Sequence, residues 1–349
     1  MKKFLIKISY LVLPIYLLML GLVAYVTLYI SPKADTGDLG NLALIPFGLE
    51  YGQAISEHEM KDTLFIKVNH TEELRNIHVN VLTVGDSFSQ QGCAGYQNYM
   101  PGEGISVANC RRSLYESPLQ YASNILDYGV IDSTNIDVLV VEVVERDFAL
   151  SIGSFEEDKV EVPEPISTSD QEERNANEWS LLRTRDFLLY RFASRSPVYK
   201  VTLDKDYFSS KEPRSLYFYY EDINNGLSID EALRPKVKEV FGLLTRKAHE
   251  RGIKLLMMMP VDKYDFYQDY IVDNPYPHPK RVNEDLRDIL GDIPEVMLCK
   301  DCLLPLLEKG EKDVFLFDNT HWSYKGSEAI GKELSRRVKL MMNRKREQL

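Results

Sequence analysis

Two short segments hold residues that together could act on an ester. The first is VLTVGDSFSQQG at 81–92. A serine hydroxyl is a poor nucleophile until a neighbouring base takes its proton. Gly85 permits a tight turn after a strand, Asp86 can hold that turn by bonding local backbone, and the Ser87 N–H can then face a developing oxyanion. The second segment is FDNTHW at 317–322. An aspartate three residues before a histidine, as Asp318 stands to His321, can accept the imidazole Nδ1 proton and leave Nε2 to face a serine. Taken singly, each segment reads equally well as plain structure: an Asx-type turn after a strand, or polar cap residues before a helix. Taken together, one ends the first strong strand and the other precedes the last helix, the order and context of a Ser–His–Asp system.

Further residues gain interest from their positions just after expected strands. Besides Ser87 these are Asn109, Glu145, Arg146, Asp262 and Lys263. The Ser87 N–H is the first expected oxyanion donor, with Gln90, Asn109 or Arg146 as partners. Arg146 could pair bidentately with a sugar carboxylate, or form an ion pair with Glu142 or Glu145. Lys263 lines a cleft or is a solvated lysine. Trp322 stacks on a sugar ring or packs beneath the loop, and packing is expected. His58, His70, His78, His249 and His278 have no metal-ligand spacing. No metal and no cofactor is expected.

These side chains need a frame. Apolar, β-branched runs at 78–83 (HVNVLT), 105–108, 136–144 (IDVLVVEVV), 253–260 (IKLLMMMP) and 296–298 predict strands. The continuous runs suit a sheet covered on both faces. Helical spacing falls between 115 and 128, at 179–192, over 233–248 and near 280–290, and a last helix begins at Ser323 and runs to about 342. Strands alternating with helices predict an α/β fold with a mostly parallel sheet. In such sheets ligands bind beyond the carboxyl ends of the strands, where Ser87 is expected. The acidic, Pro- and Ser-containing stretch at 150–175 and the aromatic cluster at 217–220 predict an insertion over about 150–230.

The chain has 349 residues and a net charge of −11, with no long basic run, which argues against nucleic-acid binding. Lys2, Lys3 and Lys7 precede an uncharged stretch from 8 to 32. About 20 apolar residues cross a bilayer core of roughly 30 Å. Residues 1–7 are expected in the cytoplasm, 8–30 as an uncleaved anchor, and the remainder on the periplasmic or extracellular side. A cleaved signal peptide is the rival, but the stretch is long for one and lacks a small-x-small cleavage site. Residues 31–77 read as a linker and N-terminal extension, and 78–349 as the catalytic domain. Cys93, Cys110, Cys299 and Cys302 allow two disulfides in three connectivities, which spacing leaves open. Cys299 and Cys302 also have the bare spacing of a redox or half-zinc site, with a structural role expected.

The segments VGDSFS (84–89), VVEVVERDF (140–148), MMMPVDKYDFY (257–267) and DNTHWSYKGSEAI (318–330) resemble the SGNH/GDSL hydrolase superfamily. More narrowly, they are similar to the SGNH-like domains of alginate O-acetyltransferase-type proteins, over roughly 35–345. The resemblance implies a flavodoxin-like three-layer fold, with Ser87 as nucleophile, His321 as base and Asp318 as its orienter. It also implies an acyl-serine intermediate, a polysaccharide acceptor and a multi-pass membrane-bound O-acyltransferase as partner. The chain departs from the wider superfamily at its third block, where Glu142–Arg146 stand in place of Gly-x-Asn-Asp. Gly92 and Gly95 are the candidates for the second-block glycine. A carbohydrate acetylesterase and a catalytically silent glycan-binding scaffold are the alternatives.

Overall fold

The computed structural model describes residues 2–31, 37–45, 47, 55, 58–69, 71–110, 117–129, 131, 136–159, 181–192 and 196–346. The chain opens on α1 (Lys2–Tyr25), which runs on through a π-turn at Val26–Ile30. Within it, the 24 residues Lys7–Ile30 are long and apolar enough to cross a membrane. Its far end meets the rest of the protein, with Val26 packed against Leu44 and Phe187. A short helix follows, α2 (Asp38–Ala43), closed by Leu44 in the left-handed region. Leu39 and Ala43 of α2 are wholly buried in the largest core. Helix α2 therefore packs into the domain core from within the stretch at 31–77 read from sequence as linker and N-terminal extension.

Six parallel strands form the main sheet. In chain order they are β1 (Ile66–Val68), β2 (Val81–Val84), β3 (Val107–Cys110), β4 (Val138–Glu142), β7 (Lys254–Met259) and β8 (Val296–Leu298). An antiparallel pair, β5 (Val198–Thr202) and β6 (Ser215–Tyr219), stands apart. The helices that complete the frame are α3 (Pro118–Asp127), α4 (Glu145–Gly153), α5 (Leu181–Phe192), α6 (Arg234–Glu250), α7 (Lys263–Tyr267), α8 (Val282–Leu290), α9 (Cys299–Glu308) and α10 (Tyr324–Arg346).

Side chains of a strand point alternately to opposite faces, and the two cores divide accordingly. Val81, Val138, Val140, Leu256 and Met258 join α7, α9, α10 and the β5–β6 pair on one face. Leu82, Val84, Leu139, Val141, Leu255 and Met257 join α3, α4, α6 and α8 on the other. The result is a sheet between two helical layers. The order β1-β3-β2-β4-β7-β8 means the chain leaves β2 outward to β3 and returns to β4 on the other side. Adjacent crossovers diverge at the carboxyl ends of β2 and β4, which opens a crevice there.

The aromatic cluster at 217–220 lies largely in β6, where Tyr217 and Phe218 enter the main core beside Phe47 and Phe317. These rings tie the β5–β6 pair to the main core. Most of the acidic stretch, from residue 160 on, and Trp179 lie outside the described residues. The four cysteines are free thiols, so neither disulfide allowed by their count is formed. Cys110 is buried with its thiol against the Tyr121 hydroxyl at 3.2 Å, and burial pushes its pKa up to about 12. A thiol held protonated in this way is a poor nucleophile and a poor metal ligand.

Candidate active site

The crevice at β2 holds the Gly-Asp-Ser turn. Directly after β2, residues Ser87–Gln90 form one 3-10 turn, and the Asp86 side chain caps it by accepting the Phe88 amide. The other Asp86 oxygen accepts the Val144 amide at 2.6 Å, tying the turn to the end of β4. Glu142, wholly buried at the last position of β4, accepts the Ser89 amide at 3.0 Å. Two carboxylates from consecutive strand ends thus hold the turn by its amides, the charge-assisted type of hydrogen bond. Gly85 is required by close approach, because a Cβ there would collide with the Glu142 carboxylate and the Ser89 hydroxyl. Ser87 remains partly exposed while Phe88 and Ser89 are buried.

His321 reaches this turn from the loop between α9 and α10. Its Nε2 lies 2.8 Å from Ser87 Oγ, a distance at which imidazole can take the hydroxyl proton. Phe88 supports the ring at 4.6 Å between centroids, and Trp322 packs on Phe88 at 4.4 Å. Trp322 is fully buried, so it packs beneath the His321 loop and presents no face to a sugar.

The far side of the imidazole differs from expectation. His321 Nδ1 lies 2.6 Å from Asn319 Oδ1 and 3.5 Å from Asp38 Oδ2. Asn319 Oδ1 also accepts the His321 amide at 3.1 Å, an Asx turn closed two residues on. Asp318, expected as the orienter of His321, is not the group that meets Nδ1. Its carbonyl accepts from Leu39 and Gly40, and its carboxylate lies against Gly37, where a Cβ would collide with it. The physical reason is the Asx turn, which aims residue 319, rather than 318, at the ring.

Asp38 is the residue sequence reasoning missed. It accepts the Thr320 amide at 2.8 Å and the Thr320 hydroxyl, so α2 and the His321 loop hold one another by backbone and side chain. Burial works against its charge. The hydrogen bond and charge of His321, and the Thr320 bonds, outweigh that and leave its pKa below the usual 3.8. Asp38 lies 282 residues from Thr320 in a Gly-rich stretch, with nothing local to mark it.

Lys263, expected in a cleft or in solvent, is wholly buried beneath the same loop. Its ammonium donates to the carbonyls of Leu316, Phe317 and Asn319 at 2.7, 3.0 and 3.0 Å. Burial draws its pKa down to about 7, against the opposite pull of Asp318, Asp38 and Asp222. Arg146 is likewise committed to structure, though not to the partners expected. Its guanidinium meets Asp262 at 2.7 Å and Asp222 at 3.6 Å, and Lys280 meets Asp262 from the other side at 2.6 Å. With its side chain 10% exposed and paired in this way, Arg146 is not disposed to bind a substrate carboxylate.

Gln90 and Asn109 do face open space. With Phe65, Lys67, Val68, Asn69, Ser89 and Gly92 they line a cleft of about 120 Å³ beside the 3-10 turn. Side chains three apart in a 3-10 turn align, which puts Gln90 on the side of Ser87. Its Nε2 is buried and has no hydrogen-bond partner among the described residues. Asn109 is anchored through Oδ1, which accepts from the Thr83 hydroxyl at 2.7 Å. Gly92, with φ of +60°, shapes this cleft, whereas Gly95 is extended. The chain matches no protein-family model, no curated protein and no solved structure.

Proposed function

We propose that this chain is a membrane-anchored serine O-acyltransferase of SGNH type, acting through an acyl-Ser87 intermediate on an exported or cell-envelope polysaccharide. The observation that carries the reading is the 2.8 Å approach of His321 Nε2 to Ser87 Oγ at the crevice between β2 and β4.

The steps follow from that geometry. His321 Nε2 takes the Ser87 proton as Oγ attacks the acyl carbonyl of the donor. The negative charge that develops on the carbonyl oxygen is met by the Ser87 N–H. Collapse breaks the bond to the donor's leaving oxygen, which departs with the proton from His321. The acceptor hydroxyl then gives its proton to His321 and attacks the acyl-serine, and collapse breaks the bond to Ser87 Oγ, which takes that proton back from His321. Asn319 Oδ1 takes the Nδ1–H throughout, which fixes the tautomer that leaves Nε2 free to accept.

The choice of transfer over hydrolysis is supported by the apolar helix at Lys7–Ile30, which suits an enzyme working beside a membrane-borne acyl supply and a multi-pass acyltransferase partner. The triad logic is the same for both outcomes.

The test is fluorophosphonate labelling of the full chain in detergent, read by intact mass. One adduct is expected, absent from Ser87→Ala and His321→Ala. The acceptor is then decided by supplying an acetyl ester with and without an oligosaccharide. Acetylated sugar supports transfer, and free acetate alone makes the chain an esterase. A folded wild-type chain that never labels would overturn the catalytic reading in favour of a glycan-binding scaffold.

A further inference from the structure

We infer that Asp38, carried on the short helix just after the apolar anchor, is the charge partner of His321. The inference rests on the reading that Ser87 and His321 are the catalytic pair. When His321 takes the serine proton it becomes an imidazolium, and that charge needs an anion close to Nδ1. Asn319 Oδ1, at 2.6 Å, accepts the Nδ1–H but is neutral. The carboxylate oxygen beside Nδ1 is Asp38 Oδ2, at 3.5 Å.

Three observations make this more than proximity. The carboxylate is held in place by both polar groups of Thr320, the residue next to the histidine. The same loop is braced from beneath, where Lys263 bonds three of its carbonyls and so holds His321 and Thr320 in one arrangement. Finally, α2 is fixed rather than pendant, since Leu39 and Gly40 bond the Asp318 carbonyl and Leu39 is wholly buried.

Asp38 is thus a positioning residue that acts through His321. Its placement also ties the active site to the membrane. It lies seven residues past Ser31, where the anchor's helix ends, so at roughly 3.5 Å per residue it is within about 25 Å of that end.

The test uses the full chain in detergent, with the rate of fluorophosphonate labelling and the turnover of an acetyl ester as readouts. Asp38→Asn keeps the shape and removes the charge. Labelling and kcat are expected to fall on the order of 10²-fold with little change in KM. Asn319→Asp puts a carboxylate on the atom that already bonds Nδ1. The double variant Asp38→Asn with Asn319→Asp is therefore expected to recover to within about tenfold of wild type. Thermal melts of each variant separate charge from folding. If Asp38→Asn labels as fast as wild type, the inference fails alone. If the double variant folds but stays slow, Asp38 has only a structural role and the inference fails again. If wild type itself is never labelled at Ser87, the catalytic pair falls and takes this inference with it.

Discussion

Lys263 shows how a single side chain organises chemistry it never touches. Its three protons go to three carbonyls of the loop that carries His321. Lys263→Met fills the same space but strands those acceptors in a buried site. We expect a loss of roughly 2–4 kcal/mol in denaturant unfolding, and slower labelling of Ser87. Asp147, on the first turn of α4, makes a prediction of the opposite sign. Burial pushes its pKa from 3.8 up to about 6, with Arg146 pulling the other way. The folded state then binds the extra proton, so this group's contribution to stability falls as pH rises through that window. Asp147→Asn removes the dependence. Its melting temperature should match wild type near the lower value and exceed it above the upper one, as thermal melts across that range would show.

At the scale of elements, the site is a junction of two loops and a helix that approach closely. The Ser87 turn is bonded to the end of β4, and the His321 loop is bonded to α2. Gly37 marks how tight the second junction is, since any Cβ would collide with the Asp318 backbone and carboxylate. Gly37→Ala should move α2 off the loop, cost roughly 1–3 kcal/mol in stability and slow serine labelling. A variant that melts and labels as wild type would mean that α2 docks more loosely than its contacts imply.

For the whole molecule, strand order decides where chemistry can occur. A parallel sheet whose chain reverses direction at β2 and β4 leaves its crevice at their carboxyl ends, and the Ser87 turn follows the end of β2. The 24-residue apolar helix is long enough to cross a bilayer. The full chain is expected to stay with membranes through alkaline carbonate washing and to leave them only with detergent. Release by carbonate alone would argue against a spanning helix.

Much of this was legible in residue order because its causes are local. Near-continuous apolar runs at 138–142 and 254–259 are strands buried on both faces, and spacing at Val237, Val240 and Leu244 is one helical face. The Gly-Asp-Ser turn and the histidine before the last helix could be paired from type and context alone. What could not be read is what depends on approach through space. The β5–β6 pair, the edge strand β1 and helix α9 are short or of mixed pattern and owe their form to packing. The same limit explains Arg146 and Lys263, which stand where a substrate contact is plausible but are drawn inward by Asp262 and by carbonyls. It explains the histidine's partner too. Residue types along the loop offered Asp318, but an Asx turn aims Asn319 at the ring, and the carboxylate arrives with Asp38 from the opposite end of the chain. Charges find each other by folded distance, which residue order does not record.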